Sequence, residues 1–211
     1  YTLLEDSSTN ELTALIYLAD SVTPNYTASI VNSVSVTDPL VSNIVSPDLS
    51  QEQLPSVQYV YHNYLFHGSS FQVIQSLRSA SMTSIKASIF LAGVSSDIAL
   101  LTSQSWICPP PLFDSVAQLA LIWRRLFDNQ TALPSSLSSF FIHDYTRLTG
   151  ELDIILDNIR TTDFDMSFDV FIYGVDGELL ASAHDMSCTC SSSLNRLNQE
   201  WVSTLESRTN F

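Results

Sequence analysis

The sequence predicts an α+β fold, with one helix packed against an antiparallel sheet, on three observations. Phe164, Met166, Phe168, Val170 and Ile172 alternate with Asp165, Ser167 and Asp169, the period of a half-buried strand. Leu112, Val116, Leu119, Trp123 and Leu126 recur at spacings of 4, 3, 4 and 3, which makes an apolar helical face. The helical stretch stands alone between strand-like runs, and a single helix among strands packs on a sheet.

The elements follow in chain order. Residues 12–18 and 26–34 read as a hairpin joined by Ser21-Val22-Thr23-Pro24-Asn25. A Ser- and Pro-containing stretch follows, which reads as a linker. Residues 73–79 and 82–90 read as a second hairpin. Pro109, Pro110 and Pro111 can precede or open a helix but cannot sit inside one. The helix then carries Asp114 and Gln118 four apart on one side, away from its apolar face. Leu121 and Arg125 continue that stripe. Residues 137–143 and 152–159 read as strands, followed by 164–172 and 179–186 with turn chemistry in Gly174-Val175-Asp176-Gly177 between them. Leu194, Leu197, Trp201 and Leu205 predict a short amphipathic tail helix.

The first hairpin echoes the last: Ile16-Tyr17, a turn and Thr27-Ala28-Ser29 parallel Ile172-Tyr173, a turn and Ala181-Ser182-Ala183. The organisation expected is therefore a remnant hairpin of one unit in 1–36, a linker in 37–56, a complete second unit in 57–190 and a tail in 191–211.

Composition narrows the function. The 211 residues are 45% hydrophobic and 14% charged, too apolar for disorder. With 22 acidic against 8 basic residues the formal charge is -14, and Lys86 is the one lysine, which argues against a nucleic-acid surface. No apolar run reaches membrane-spanning length. Residues 1–11 lack the basic start of a secretory signal. Cys108, Cys188 and Cys190 form no disulfide framework, so a reducing, cytoplasmic setting is expected. His184 with the two later cysteines gives H-x3-C-x-C, but it lacks the further ligands of a zinc site. Sequons at Asn25 and Asn129 read as chance.

The stretch Leu65-Phe66-His67-Gly68-Ser69-Ser70-Phe71-Gln72, followed by Asp114-Ser115-Val116-Ala117-Gln118, resembles the second half of the dehydratase domain of polyketide synthases. It is closer still to that of polyunsaturated fatty acid synthases. Leu133-Pro134 and the Asp176-Gly177-Glu178 turn fit the same pattern, and the resemblance covers about residues 57–190. It implies a hot-dog fold, a sheet wrapped around one long helix: a complete second hot-dog preceded by the last hairpin of a first. It also implies dehydration of a 3-hydroxyacyl chain carried on the phosphopantetheine arm of an acyl carrier protein. Other synthase domains would be partners, a homodimer is possible, and no metal or diffusible cofactor is needed. Asp114 and Gln118 would carry the acid half of the site, and His67, Gly68 and Phe71 would contact substrate. Ser69 stands where the family usually has proline.

Such an elimination needs a base at C2 and an acid at the departing C3 hydroxyl. Asp114, read as lying in the first helical turn, is pulled toward the ionised form by the helix dipole and toward the neutral form by burial. Gln118, one turn on, can hold its carboxyl. Without the resemblance, Asp114 is an ordinary helix-start residue and Gln118 a surface amide. His67 is equally well a turn histidine, while His62, His143 and His184 belong to no motif.

The family's catalytic histidine sits in His-x-x-x-Gly-x-x-x-x-Pro, and no histidine of this sequence has glycine four residues later. That base is expected upstream of Tyr1 or on another chain, unless the unit is a non-catalytic acyl-binding or assembly scaffold. A hot-dog acyl thioesterase, in which the helix acid assists water, is a lesser alternative. The net acidity predicts weak electrostatic docking of an acidic carrier unless a basic patch such as Arg124 and Arg125 assists it. Those two arginines read more simply as helix-end residues favoured by the dipole.

Overall fold

The computed structural model describes residues 2–6, 11–17, 22–24, 26–31, 49–92 and 108–198. They fall into two compact units, Tyr1–Leu40 and Val41–Phe211. In the first, β1 (Thr2–Asp6), β2 (Glu11–Ile16) and β3 (Tyr26–Val31) form an antiparallel sheet in that order. The second and third strands fall on the anticipated hairpin. β1 was not anticipated; its run Thr2-Leu3-Leu4-Glu5-Asp6 is too short to display a period.

The second unit begins with β4 (Leu49–Ser50) and a short helix, α1 (Val57–Asn63). Ser56 caps α1, its hydroxyl accepting from the Tyr59 N–H at 3.2 Å. β5 (Ile74–Ala80) and β6 (Ile85–Leu91) pair as the expected hairpin. The long helix α2 runs from Pro110 to Asp128, and β7 (Thr131–Ser136) and β8 (Ser139–Ile142) follow it. β9 (Gly150–Thr161), β10 (Asp165–Gly174) and β11 (Leu179–Ser191) close the unit. The strands run β4-β5-β6-β9-β10-β11-β7, and β8 also pairs with β11.

Two strand expectations need correction. Residues 137–143 were read as one strand, but β8 occupies only its middle, and β7 precedes it. Pro134 inside β7 hid that strand, since proline cannot donate to a ladder. β7 sits at the end of the strand order, where proline is tolerated. The last three strands also run beyond the spans read for them: β9 at both ends, β10 through Tyr173 and Gly174, and β11 through the buried Cys188 and Cys190.

Helix α2 is the centre of the core. Leu112, Leu119, Ala120 and Ile122 are fully buried, and they pack with Ile89, Ile154, Phe168, Ile172 and Cys188 of the sheet. Trp123 is buried too, its indole N–H donating to the Ser81 carbonyl at 2.7 Å. Gln118 and Leu121, read as the outward side, are also buried. The helix is therefore enclosed on more than one side, which a single apolar stripe did not reveal. Asn129 ends it in the left-handed region, φ 51°.

The sheet bends where β10 passes its neighbours. β9 carries an extra residue opposite Ser167 and Asp169, and β11 carries one opposite Phe168 and Val170. At these bulges Asn158 and Asp185 take positive φ, 52° and 50°. The Asp169 carboxylate holds both, accepting from Asn158 Nδ2 at 2.9 Å and from the Asp185 backbone N–H at 3.0 Å. Paired bulges increase local twist and curve a sheet.

Cys188 and Cys190 are buried in the core, and burial pushes the Cys188 thiol up to about 12. His184 does not join them: its Nδ1 lies 3.5 Å from Asp169. The anticipated tail helix falls within the described residues only as far as 198; the rest of it lies outside them.

Candidate active site

The site is built where α1, the loop after it and α2 meet. Helix α2 starts at Pro110, with prolines in its first two positions. Asp114 is therefore its fifth residue rather than part of the first turn, as the sequence reading had it. The dipole of the helix start, which fades within a turn, acts on it less than that placement implied. Gln118 follows one turn later on the same side. Its Nε2 donates to Asp114 Oδ2 at 2.6 Å and to the Phe71 carbonyl at 2.8 Å. Gln118 is completely buried, so its reading as a surface amide is overturned.

His67 comes to the same carboxylate: its Nε2 lies 3.5 Å from Asp114 Oδ2. Its ring stacks on Phe66, with centroids 4.6 Å apart. Burial holds the imidazole below the usual histidine value, against the opposing pull of Asp114. The buried Nδ1 has no hydrogen-bond partner among the described residues. A charged imidazole needs acceptors for two N–H groups, so this setting favours the neutral ring.

Gly68 and Phe71 bracket a single 3-10 turn, the Gly68 carbonyl accepting from the Phe71 N–H at 3.0 Å. The Gln72 side chain closes the loop by donating to the His67 carbonyl at 2.9 Å. Gly68 has φ -67°, a value open to any residue. Of the five site residues read from the sequence, Asp114, Gln118, His67 and Phe71 thus meet directly, Phe71 through its backbone. Gly68 shapes the loop.

The sequence reading missed Tyr61. It projects from α1 and its hydroxyl donates to Gln118 Oε1 at 3.0 Å. The same hydroxyl accepts from the Ile74 backbone N–H at 3.0 Å. Val57, Val60, Tyr61 and Tyr64 recur at helical spacing behind a capping serine. That signal would have found both the helix and its inward tyrosine. A cleft of about 790 Å³ runs past Tyr61 between α1 and β5, with Leu54, Gln58, His62, Gln72 and Ile74 in its walls.

Arg124 is buried, and its guanidinium is engaged by Asp128, the Thr162 carbonyl and Gln130. It offers nothing to a docking carrier. Arg125 lies over the Tyr64 ring at 5.0 Å. The His62 carbonyl accepts from Asn198, and His143 Nε2 is 3.3 Å from the Ser182 hydroxyl.

Among solved structures, the dehydratase domain from the CurJ module of curacin polyketide synthase is similar over 90% of this chain and 66% of its own. The TM-score is 0.62 and the identity 17%. A trans-AT polyketide synthase dehydratase domain from Brevibacillus brevis is similar over 90% and 68%, with TM-score 0.62 and 18% identity. The dehydratase domain from the CurF module of curacin polyketide synthase gives 0.59 at 18%. The chain spans about two thirds of those structures, and the shared architecture is the hot-dog fold. No curated protein matches the sequence. A family model described as the polyketide synthase dehydratase N-terminal domain matches residues 40–198, and the chain belongs to the polyketide synthase dehydratase family.

Proposed function

We propose that this chain supplies the acid half of a site that dehydrates 3-hydroxyacyl thioesters. The substrate is carried on the pantetheine arm of an acyl carrier protein within a polyketide or polyunsaturated fatty acid synthase. The observation that carries the reading is Asp114: a carboxyl on a buried helix, half-covered, held on one oxygen by Gln118 and faced by His67.

The chemistry follows from that arrangement. A base takes the proton at C2, which the thioester carbonyl makes acidic. The electron pair forms the C2–C3 double bond as the C3–O bond breaks. Asp114 gives its proton to the departing oxygen, which leaves as water, and the product is the trans-2-enoyl thioester. His67, neutral through burial, can accept from or donate to the substrate beside Asp114. In this reading the base is the histidine of the family's His-x-x-x-Gly-x-x-x-x-Pro motif, which this sequence does not contain. Neither a metal nor a diffusible cofactor enters such an elimination.

The test is turnover of a 3-hydroxyacyl-pantetheine thioester by the synthase polypeptide that carries this chain, read as formation of the conjugated enoyl product. Asp114→Asn should lower turnover by about a hundredfold or more, with circular dichroism unchanged. Full turnover in that variant would sink the assignment and leave the scaffold reading in its place. Release of free thiol instead of enoyl product would point to the thioesterase alternative.

A further inference from the structure

We propose that Tyr61 is a positioning residue of this site: its hydroxyl, seated on the Ile74 N–H, fixes the Gln118 amide so that it donates to Asp114 Oδ2. Oδ1 is thereby left as the oxygen that carries the exchangeable proton. This deepens the reading of Asp114 as the acid and rests on it.

The argument is one of hydrogen-bond direction. A phenol has one proton and accepts through its lone pairs. The Ile74 N–H, 3.0 Å away, can only donate, so it takes an acceptor position on Tyr61. The phenol proton then points to Gln118 Oε1, also 3.0 Å away. That makes Oε1 the amide's acceptor end and turns Nε2 toward the Phe71 carbonyl and Asp114 Oδ2, neither of which has a proton to give while the carboxylate is ionised. Each of the four contacts has a defined donor, and the reversed amide would set acceptor against acceptor at Phe71. Gln118 is fully buried, so water cannot replace a lost partner cheaply.

The carboxylate inherits this order. Oδ2 faces Gln118 and His67. Oδ1 has no hydrogen bond among the described residues, and the Asp114 side chain is 30% exposed. A proton arriving at Asp114 therefore settles on Oδ1, where a leaving hydroxyl can collect it. The chain of bonds holds over the working range because Tyr61 stays protonated: burial first, and the Asp114 charge with it, push the phenol up to about 12.

Carbon-13 NMR of the Asp114 carboxyl in the full chain, assigned with Asp114→Asn, tests this without an activity assay. Removing the Tyr61 hydroxyl frees the amide and weakens its donation, so the carboxyl of Tyr61→Phe should titrate about half to one pH unit higher than in the parent. Gln118→Ala should move it upward at least as far, and the double variant no further than Gln118→Ala alone, since both act through one bond. Tyr59→Phe, on the exposed side of the same helix, should leave it in place. An unchanged titration in folded Tyr61→Phe, or additive shifts, would overturn the inference. If Tyr61→Phe does not fold, the parent chain decides. The Gln118 side-chain amide protons should move with the Asp114 titration and show a nuclear Overhauser effect to Tyr61, and absence of either would overturn the inference. An intact NMR pattern without enoyl formation would sink the proposed function alone; enoyl formation with an unmoved titration would sink the role of Tyr61 alone.

Discussion

His67 carries one charge-sensitive consequence of its burial. An imidazole held below its usual value binds a proton less readily in the folded chain than in the unfolded one. Stability is then full above the ordinary histidine value of about 6.5. It falls as pH drops through that value and levels off below the lower folded value. His67→Gln should therefore show a smaller loss of melting temperature between about pH 7 and pH 5 than the parent chain. Equal losses would mean that His67 is not held neutral by the fold. At this scale the adjacency of Asp114 and Gln118 was legible, because a four-residue spacing on a helix places two side chains together whatever surrounds them. The sequence reading was blind to Tyr61, whose role depends on a contact 57 positions along the chain. It also missed the burial of Arg124, read as a helix-end residue or part of a basic patch, which the fold sets against Asp128 and the Thr162 carbonyl.

Between residues and the whole fold stands the paired bulge around Asp169. Two neighbouring strands each insert a residue at one level of β10, and one carboxylate satisfies the donors on both sides. Burial raises the Asp169 carboxyl. The Asn158 amide, the Asp185 N–H and nearby His184 outweigh it and hold the group below the usual carboxylate range. That stabilisation is present above the unfolded carboxylate value and is lost as pH falls through the lower folded one. Asp169→Ala should cost about 1–3 kcal/mol at neutral pH, measured by urea unfolding, because two donors lose a charged acceptor. The deficit should shrink as the medium is acidified below the ordinary carboxylate value. A cost that stays constant with pH would assign the effect to lost packing. The existence of β9, β10 and β11 was legible because apolar residues alternate along them. The bulges were not, since a one-residue insertion leaves a sequence reading as continuous strand while shifting its register.

For the molecule as a whole, the charge of -14 sets a background that no single pair describes. Mutual repulsion among acidic groups works against the compact state, and salt screens it. Raising sodium chloride from about 10 mM to about 200 mM should raise the melting temperature seen by calorimetry. A fall would mean that specific ion pairs, such as Arg147 with Asp176 and Glu178 or Lys86 with Asp153, outweigh the general repulsion. The α+β class was legible because one 19-residue helix and a set of strands leave few ways to cover both. The order of the strands was not, since pairing partners far apart in the chain leave no local mark. The strand that the sequence concealed has its own consequence. β7 closes one end of the sheet with Pro134 in the middle of six residues, and the chain breaks again before β8 joins the same side of β11. A rim so interrupted is a poor template for a strand from another copy. This end of the fold is thus guarded against the sheet-to-sheet aggregation that an unbroken apolar edge would invite.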